Sequence, residues 1–148
     1  MKILQIEQRS PEWFAARCGI PTSSNFDKIV DTSGKPSKQR EKYLFRLAGE
    51  RIIGQSEETY QNAAMIQGIE MESEAREVYQ FMTGLEVVPA GLCVVEDKFI
   101  HYAASPDGLV GIDGLLEIKC PIISTQVGYL LNNILPSEYY QQVMGQLL

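Results

Sequence analysis

The chain has 148 residues, of which 45% are hydrophobic, and it carries a formal net charge of -6 at pH 7. This size and apolar content suit one ordinary domain with a real core, and no apolar run approaches the roughly 18 residues of a membrane span. Three cysteines without a CxxC pair and a single histidine exclude a zinc knuckle and a four-cysteine iron–sulfur cluster, so any metal would be held by oxygen ligands.

The N-terminal segment predicts two short helices separated by a glycine turn. Ser10 is a favoured N-cap and Pro11 suits the first helical position, so a helix is predicted to run to Arg17 and to end before Gly19. The Thr-Ser-Ser run at 22–24 predicts a second helix start, whose free N–H groups could receive an anion.

A third helix is predicted from Lys38 to Ile53, with Gly54 as its stop. Its inward face is expected at helical spacing, at Tyr43, Leu44, Leu47 and Ile52. The segment from Lys35 to Arg51 holds six basic residues against two acidic ones, although the whole chain is acidic. This basic cluster is either a solvated helix face or a surface that follows a nucleic-acid backbone, and the segment alone leaves both interpretations open.

The second half combines one long helix with a set of short strands. A helix is predicted over Gln61–Met82 with a stop at Gly84, because small or apolar residues recur at steps of four and three: Ala64, Gly68, Met71, Ala75, Val78 and Met82. Strands are predicted at 92–95, 100–103, 109–111 and 115–119, and Asp113-Gly114 is a strong hairpin signal. Helices are expected again at 126–131 and 138–148.

The hairpin brings charged residues together. In the strand 115–119, side chains alternate between the two faces, so Glu117 and Lys119 project on the same side. Asp107 lies in a tight turn upstream, and the hairpin folds that turn back towards Lys119. Two carboxylates and an ammonium group are therefore expected to converge.

An ideal two-residue hairpin at Asp113-Gly114 conflicts with this convergence. It pairs residue 108 with residue 119 and leaves Asp107 on the wrong face. A bulge or a bend at Gly108 or Gly111 would turn the Asp107 side chain by half a period. The motif therefore predicts a local irregularity in the hairpin.

Converging carboxylates suit metal-dependent hydrolysis of a phosphodiester. Two nearby carboxylates repel each other unless a cation intervenes, and an oxygen-only site is what Mg²⁺ prefers. The metal would polarise the phosphate and lower the pKa of a bound water, while Lys119 positions that water or steadies the developing negative charge. The alternative is an acidic turn with a cross-strand Glu–Lys pair on a solvated sheet face, which is the better interpretation of an isolated E-x-K.

The second half carries a string that resembles the PD-(D/E)XK nuclease signature: Ser105-Pro106-Asp107-Gly108, then Leu116-Glu117-Ile118-Lys119-Cys120-Pro121. Further blocks resemble the lambda-exonuclease-like (YqaJ-type) viral recombinase family and occur in that family's order: Arg9–Trp13, Arg17–Ile20, Thr22–Ser24, Gly68–Ala75 and Tyr139–Val143. Together these blocks extend over nearly the whole chain.

This resemblance implies an α/β fold with a restriction-endonuclease-like PD-(D/E)XK core, in which helices flank a central mixed β-sheet. It implies one nuclease domain over residues 1–148 that is C-terminally short relative to the family, because the sequence stops at Leu148 within a predicted helix. The implied activity is a Mg²⁺-dependent exonuclease, with Mn²⁺ as an alternative metal. Such an enzyme degrades one strand of duplex DNA from a 5′-phosphorylated end and leaves a 3′ single strand for phage-type recombination.

The resemblance also implies roles for residues near the metal. Asp107 and Glu117 would be metal ligands, with the carbonyl oxygen of Ile118 as a third. Lys119 takes the place of the catalytic lysine. Glu72 matches the family's helix-borne acid, although the sequence alone leaves open a surface pair with the arginine four residues later.

Two further groups of residues match functional positions of the family. Arg17, Ser24 and Ser105 match a pocket for the 5′ phosphate, which suits the forked guanidinium of arginine, although Ser24 alone would be interpreted as a helix cap. Tyr139 and Gln142 match catalytic residues near the attacking water, and their spacing of three puts them on one helix face.

The implied partners are double-stranded DNA ends and a phage single-strand annealing protein, and family members are implied to assemble as ring-shaped trimers. The expected location is the cytoplasm of a bacterial host, without membrane association. Two other functions remain open. An endonuclease or repair nuclease is disfavoured by the set formed by Arg17, Ser24 and Ser105, and a non-catalytic DNA-end-binding module is disfavoured by the intact acids and lysine.

Overall fold

The computed structural model of the chain describes residues 1–57 and 63–148. In chain order its elements are β1 (Lys2–Leu4), α1 (Pro11–Arg17), the 3₁₀ helix Ser23–Lys28, α2 (Arg40–Ile53), α3 (Ala63–Thr83), β2 (Val87–Val88), β3 (Leu92–Glu96), β4 (His101–Ala104), β5 (Gly108–Val110), β6 (Gly114–Leu116), α4 (Ile123–Asn132), the 3₁₀ helix Ser137–Tyr139 and α5 (Tyr140–Leu147). The predicted start of the long helix, at Gln61 and Asn62, lies outside the described residues. Within residues 1–57 and 63–148, no helix is long and apolar enough to cross a membrane.

The described residues divide into two compact units. The first comprises residues 1–57, 90–105 and 137–148, and the second comprises residues 63–89 and 106–136. The first unit contains an antiparallel sheet with the strand order β1-β3-β4, and the second contains an antiparallel sheet with the order β2-β5-β6.

The core of the first unit forms where α1 packs on the sheet. Leu92 of β3 and Ala103 of β4 are fully buried, and Trp13 of α1 packs against them. The Ser10 side chain caps α1 by accepting a hydrogen bond from the Trp13 N–H at 3.2 Å, and Pro11 occupies the first turn, as predicted. The cap fixes the start of α1 and therefore the position of Trp13, the largest side chain of this core.

The segment after α1 begins a helix at Ser23, as predicted, but the helix is a 3₁₀ helix. Thr22 makes no side-chain cap and instead forms a parallel bridge with Ala103, whose N–H donates to the Pro21 carbonyl. Further along the chain, Gly145 of α5 packs on Phe26, since a Cβ at that position would lie 2.4 Å from the phenyl ring. This 3₁₀ helix is therefore fixed between β4 and α5.

The inward face of α2 differs from the prediction. Tyr43 is buried, but Leu44 is 61% exposed and Ile52 is 85% exposed, so the prediction for these two residues is wrong. The buried stripe is narrow and runs from Tyr43 through the half-buried Leu47 to the buried Glu50. These three positions follow a spacing of four and three, and a polar residue takes one place because Glu50 accepts hydrogen bonds from the turn that follows α1.

The long helix of the second unit also presents a different face. It ends at Thr83 before Gly84 with φ 67°, as predicted, but Met71, Val78 and Met82 are 45%, 49% and 78% exposed. Ala64 is exposed as well, whereas Gly68 and Ala75 are less exposed, as predicted, together with Ile69, Glu72, Arg76, Tyr79 and Gln80. The ion pair of Glu72 and Arg76 thus lies on the less exposed face of the helix, and the methionines lie outside it.

The predicted single central mixed sheet is not found among the described residues. The mixed α/β content is confirmed, but the strands form two separate three-stranded antiparallel sheets. Pro106 lies between β4 and β5 and has no N–H to donate, so the hydrogen-bonded ladder does not continue through it. The parallel component is limited to the bridge between Thr22 and Ala103.

Candidate active site

Asp107 is the best-anchored residue of the candidate site. Its side chain is buried, and its backbone N–H donates to the Leu116 carbonyl at 2.9 Å. Its Oδ2 atom accepts a hydrogen bond from the backbone N–H of Ile118 at 2.5 Å. Both contacts join Asp107 to the segment that carries the acid and the lysine, so the two halves of the motif lie side by side, as predicted.

The register of the hairpin differs from that of the ideal two-residue hairpin. The pairs are Val110 with Gly114 and Gly108 with Leu116, so the loop comprises residues 111–113 rather than the predicted pair Asp113-Gly114. The printed register ends there, and the Asp107 N–H donates to the Leu116 carbonyl. Gly111, one of the two glycines at which an irregularity was expected, begins the loop with φ 63°.

Glu117 and Lys119 lie on the same side of the chain, as predicted from their alternation. The Lys119 Nζ atom donates to Glu117 Oε1, and the side chains are 33% and 11% exposed respectively. The strand β6 ends at Leu116, so both residues lie just beyond the end of the strand. The alternative interpretation expected a Glu–Lys pair across two strands. The observed pair instead joins two residues of one segment.

Glu72 joins this group from α3. It forms the expected pair with Arg76, in which Nη2 lies 3.3 Å from Glu72 Oε1. Its charge also acts on Asp107, because its proximity helps to raise the pKa of that carboxyl group. The pair with Arg76 is therefore confirmed, and the role of Glu72 in the site stays a prediction.

The pKa of Asp107 is affected by its burial and by the neighbouring charged groups. Burial raises its pKa to about 7, and the negative charges of Glu117 and Glu72 act in the same direction. The Ile118 N–H and the Lys119 ammonium group oppose that shift. The net result is a buried, acidic environment that favours the neutral form of this carboxyl group.

The donor set fits a hard divalent cation. Carboxylate oxygens of Asp107 and Glu117, with the backbone carbonyl of Ile118, are oxygen ligands of the kind that Mg²⁺ prefers, and Mg²⁺ usually retains several waters. The cation would favour the charged form of Asp107, whose pKa is raised first by burial and then by the neighbouring carboxylates. In the part of the chain that the structure describes, no group of three or more His, Cys, Asp or Glu side chains is arranged to hold a metal on its own. The fit therefore rests on two carboxylates, a carbonyl and water.

A second group of predicted site residues lies in the first unit. The Arg17 guanidinium stacks on the Trp13 ring at 3.7 Å from the centroid, and the Trp13 indole N–H donates to Ser105 Oγ at 3.0 Å. The structure thus brings Arg17 and Ser105 together around one indole. Sequence reasoning missed this role of Trp13, although its spacing of four from Arg17 on a helix is the signal that could have revealed it.

Ser24 is exposed at the start of the 3₁₀ helix Ser23–Lys28. Its hydroxyl group lies 3.3 Å from Thr22 Oγ1 and 3.5 Å from the Asn25 amide nitrogen. These contacts keep Ser24 within a local cluster of polar side chains. Its part in an anion pocket stays a prediction.

Burial affects Arg17 without neutralising it. Desolvation lowers the pKa of Arg17 to about 10, so the guanidinium stays charged at neutral pH. No salt bridge joins Arg17 to a carboxylate in residues 1–57 and 63–148. A charged, desolvated guanidinium without a carboxylate partner is suited to bind an anion.

Tyr139 and Gln142 lie at the start of α5 in the first unit. Tyr139 occupies the N-cap position and Gln142 the first turn, and both are half-buried. The acids and the lysine belong to the second unit. The catalytic role that the resemblance implies for Tyr139 and Gln142 stays a prediction.

The chain is similar to a known protein family and to solved structures. A family model described as the YqaJ-like viral recombinase domain matches residues 12–148. No curated protein matches the chain. The fold is similar to the crystal structure of an alkaline exonuclease (LHK-Exo) from Laribacter hongkongensis, with a TM-score of 0.78 and 37% identity over 90% of this chain and 64% of that one.

The same exonuclease in complex with dAMP matches with a TM-score of 0.77 and 37% identity, over 90% of this chain and 65% of that one. The chain therefore spans just under two thirds of the length of the solved relatives it matches.

Proposed function

The chain belongs to the YqaJ-like viral recombinase domain family, and on this premise we propose that it is a metal-dependent exonuclease that hydrolyses one strand of double-stranded DNA from a 5′-phosphorylated end. The observation that carries the proposal is the placement of Asp107 against the segment of Glu117, Ile118 and Lys119. The similar alkaline exonuclease and its complex with dAMP support a DNA substrate. Residues 1–148 are assigned to one nuclease domain as part of this proposal.

The metal site is formed by the hairpin. Asp107, Glu117 and the Ile118 carbonyl would hold Mg²⁺, or Mn²⁺ in its place. When bound, such a cation supplies Lewis acidity to a phosphate oxygen and lowers the pKa of coordinated water. The PD-(D/E)XK core thus provides the donors, and the hydrogen bond from the Ile118 N–H fixes the Asp107 carboxylate in place.

Lys119 supplies positive charge beside the acids. Its ammonium group contacts Glu117 and counteracts the raised pKa of Asp107. In the reaction this group donates hydrogen bonds to the water or to the phosphate oxygen on which negative charge develops, which is a common source of rate enhancement. Because an ammonium group cannot ligate a cation, Lys119 contributes to turnover rather than to metal affinity.

Glu72 has a supporting role. Its carboxylate adds negative charge near Asp107 while Arg76 holds it on α3. It therefore increases the attraction of the site for a cation. Tyr139 and Gln142 are included in the catalytic set on the basis of the family resemblance.

The proposed direction of degradation, from the 5′ end, depends on residues of the first unit. Arg17 is charged, largely desolvated and joined through Trp13 to Ser105, which suits a terminal phosphate. Ser24 is assigned to the same function from the resemblance. A pocket for a terminal phosphate favours an exonuclease over an endonuclease, because an endonuclease cleaves within a strand and does not need to bind a DNA end.

The proposed biological setting follows from the family. The product is a 3′ single strand for phage-type recombination, and the partners are DNA ends, a phage single-strand annealing protein and further copies of the chain, in a trimer. The proposed location is the cytoplasm of the bacterial host.

The direct test is incubation with linear duplex DNA labelled at either end, with Mg²⁺ or with EDTA, beside a closed circular duplex. We expect progressive loss of the 5′-phosphorylated strand in Mg²⁺ only, while the circular duplex stays intact. Cleavage of the circle would favour the endonuclease, and binding of ends without cleavage in either metal would favour the non-catalytic module.

A further inference from the structure

Trp13 makes two directional contacts in addition to its place in the core. One face of its ring lies 3.7 Å from Cζ of Arg17, and its Nε1 atom donates to Ser105 Oγ at 3.0 Å. The residue is 7% exposed and packs with Leu92 and Ala103. A core side chain thus joins two polar groups that are 88 positions apart in the sequence, at 17 and 105.

The contact with Ser105 determines how its hydroxyl group can bind. An indole nitrogen is only a donor, so Ser105 Oγ must be the acceptor of this hydrogen bond. The hydroxyl proton of Ser105 is therefore left to be donated to another acceptor. A serine oriented in this way is a donor, as an anion requires.

The contact with Arg17 has a similar effect. The guanidinium group lies over the indole ring in a cation–π contact, which leaves its N–H donors available for an oxygen acceptor. The indole thereby restricts the rotamers of a long side chain without using its hydrogen-bond donors. Less ordering of Arg17 then remains to be done when an anion binds.

We propose that Trp13 is the positioning residue that sets the preference of this protein for a terminal phosphate, because it holds Arg17 and Ser105 in place as a preformed receptor. The inference rests on the proposed function, in which Arg17 and Ser105 bind the 5′ phosphate. It adds a residue that itself does not touch the phosphate.

The first test measures binding without turnover. Trp13 is the only tryptophan of the chain, so its fluorescence reports on this receptor alone. The protein is titrated in EDTA with a short duplex that carries either a 5′ phosphate or a 5′ hydroxyl. We expect a saturable change in emission at a lower concentration of the phosphorylated duplex. Equal responses to the two duplexes would overturn the inference, whether or not the protein cleaves DNA.

The second test separates positioning from packing. Trp13→Phe keeps an aromatic ring under Arg17 but removes the indole N–H, so the preference for phosphate over hydroxyl should fall by roughly two- to tenfold, the size of one neutral hydrogen bond. Ser105→Ala should cause at least as large a fall, because it also removes the hydroxyl group that donates to the phosphate. Because both variants remove the same hydrogen bond, Trp13→Phe should have little further effect in the Ser105→Ala background.

Val94→Ala is the matched control, since Val94 packs against the same core cluster but takes no part in the hydrogen bond to Ser105 Oγ or the cation–π contact with Arg17. It should lower stability while the phosphate preference is unchanged. If Val94→Ala lowered the preference as much as Trp13→Phe, or if the effects of Trp13→Phe and Ser105→Ala were fully additive, Trp13 would be only a core residue. If the wild type were inactive on DNA but still bound the phosphorylated duplex preferentially, the exonuclease proposal would fail while the receptor stood.

Discussion

The backbone N–H of Ile118 donates a hydrogen bond to Oδ2 of Asp107 at 2.5 Å. The turn acid is thus oriented by the residue that lies between the other acid and the lysine. A second hydrogen bond, from the Asp107 N–H to the Leu116 carbonyl, fixes the backbone on the same segment. The turn acid is therefore joined to this segment through both its side chain and its backbone.

The first prediction concerns the stability of the metal-free protein. Burial and neighbouring carboxylates raise the pKa of Asp107 from 3.8 to about 7. A folded-state pKa above the unfolded value stabilises the fold at low pH, and that contribution is lost as the pH rises through about 7. In EDTA, Asp107→Asn should therefore be more stable than the wild type at pH 8, by on the order of a few kcal/mol, and the difference should disappear below about pH 4.

Urea unfolding of both proteins at several pH values measures this difference. Asp97→Asn is the control of opposite sign, because backbone hydrogen bonds from Phe99 and Ile100 lower the pKa of Asp97. It should cost stability at pH 8 and less at low pH. A wild type that is more stable than Asp107→Asn in EDTA at pH 8 would show that the acids do not repel each other in the fold.

A second prediction separates metal binding from turnover. Lys119→Met removes the ammonium group but no oxygen ligand, so it should lose most of the cleavage activity while it keeps the affinity for Mg²⁺. Glu117→Gln removes a ligand and should weaken both. Calorimetric titration with Mg²⁺ decides between the roles, and an equal loss of affinity in the two variants would mean that Lys119 has been assigned wrongly.

A third prediction tests the hairpin register through a glycine. A Cβ at Gly114 would lie 2.5 Å from the Val110 carbonyl oxygen, so Gly114→Ala must displace a strand of the hairpin. We expect a loss of about 1–3 kcal/mol in stability together with lower activity, because the displacement changes the position of Asp107 relative to Glu117. Gly128→Ala is the control, since Gly128 lies in α4 with open space around it, and it should be neutral or slightly stabilising.

A fourth prediction concerns the ends of the substrate. Arg17→Ala removes a charge-assisted contact to the terminal phosphate, which is worth about 1.5–3 kcal/mol, so the preference for a 5′-phosphorylated duplex should fall by roughly 10- to 150-fold. Rates on 5′-hydroxyl duplex should change little. Lys98→Ala, which removes an exposed positive charge from the loop between β3 and β4, should keep the preference. If Arg17→Ala kept the full preference for the 5′-phosphorylated duplex, the assignment of a phosphate pocket to Arg17 would be wrong.

The sequence predicted the helix starts and stops well because they depend on local chemistry. Ser10 with Pro11 defines one start, and Gly54 and Gly84 define two stops through left-handed backbone that other residues rarely adopt. The strands β3, β4 and β5 were also located within one residue, whereas the predicted strand 115–119 ends at Leu116 and β1 and β2 were not predicted. These features require no knowledge of distant contacts.

The faces of the helices and the sheet organisation were predicted less well. The stripe of Met71, Val78 and Met82 satisfies helical periodicity, yet these residues are exposed, whereas Glu72 and Arg76 are less exposed. The strands form two separate sheets, because each strand pairs with partners that its own sequence does not specify. Such outcomes depend on contacts between distant parts of the chain, which periodicity does not reveal.

For the candidate site, the sequence predicted that Asp107, Glu117 and Lys119 meet and that a glycine near the turn breaks the ideal hairpin. The position of the loop at 111–113 could not be predicted, because Asp113-Gly114 is the stronger turn signal by composition. The joining of Arg17 to Ser105 by Trp13 was also hidden, since it depends on contacts between distant parts of the chain.

The central claim is that Asp107 takes part in metal-dependent cleavage, and single-turnover degradation of an end-labelled linear duplex by the wild type and by Asp107→Asn measures it most directly. Both proteins are used at saturating concentration in Mg²⁺, with Asp113→Asn in the hairpin loop as the control that keeps the motif intact. We expect cleavage by the wild type and the control that EDTA abolishes, and none above background by Asp107→Asn although it remains folded. Degradation by Asp107→Asn at the wild-type rate, or undiminished degradation in EDTA, would contradict the account.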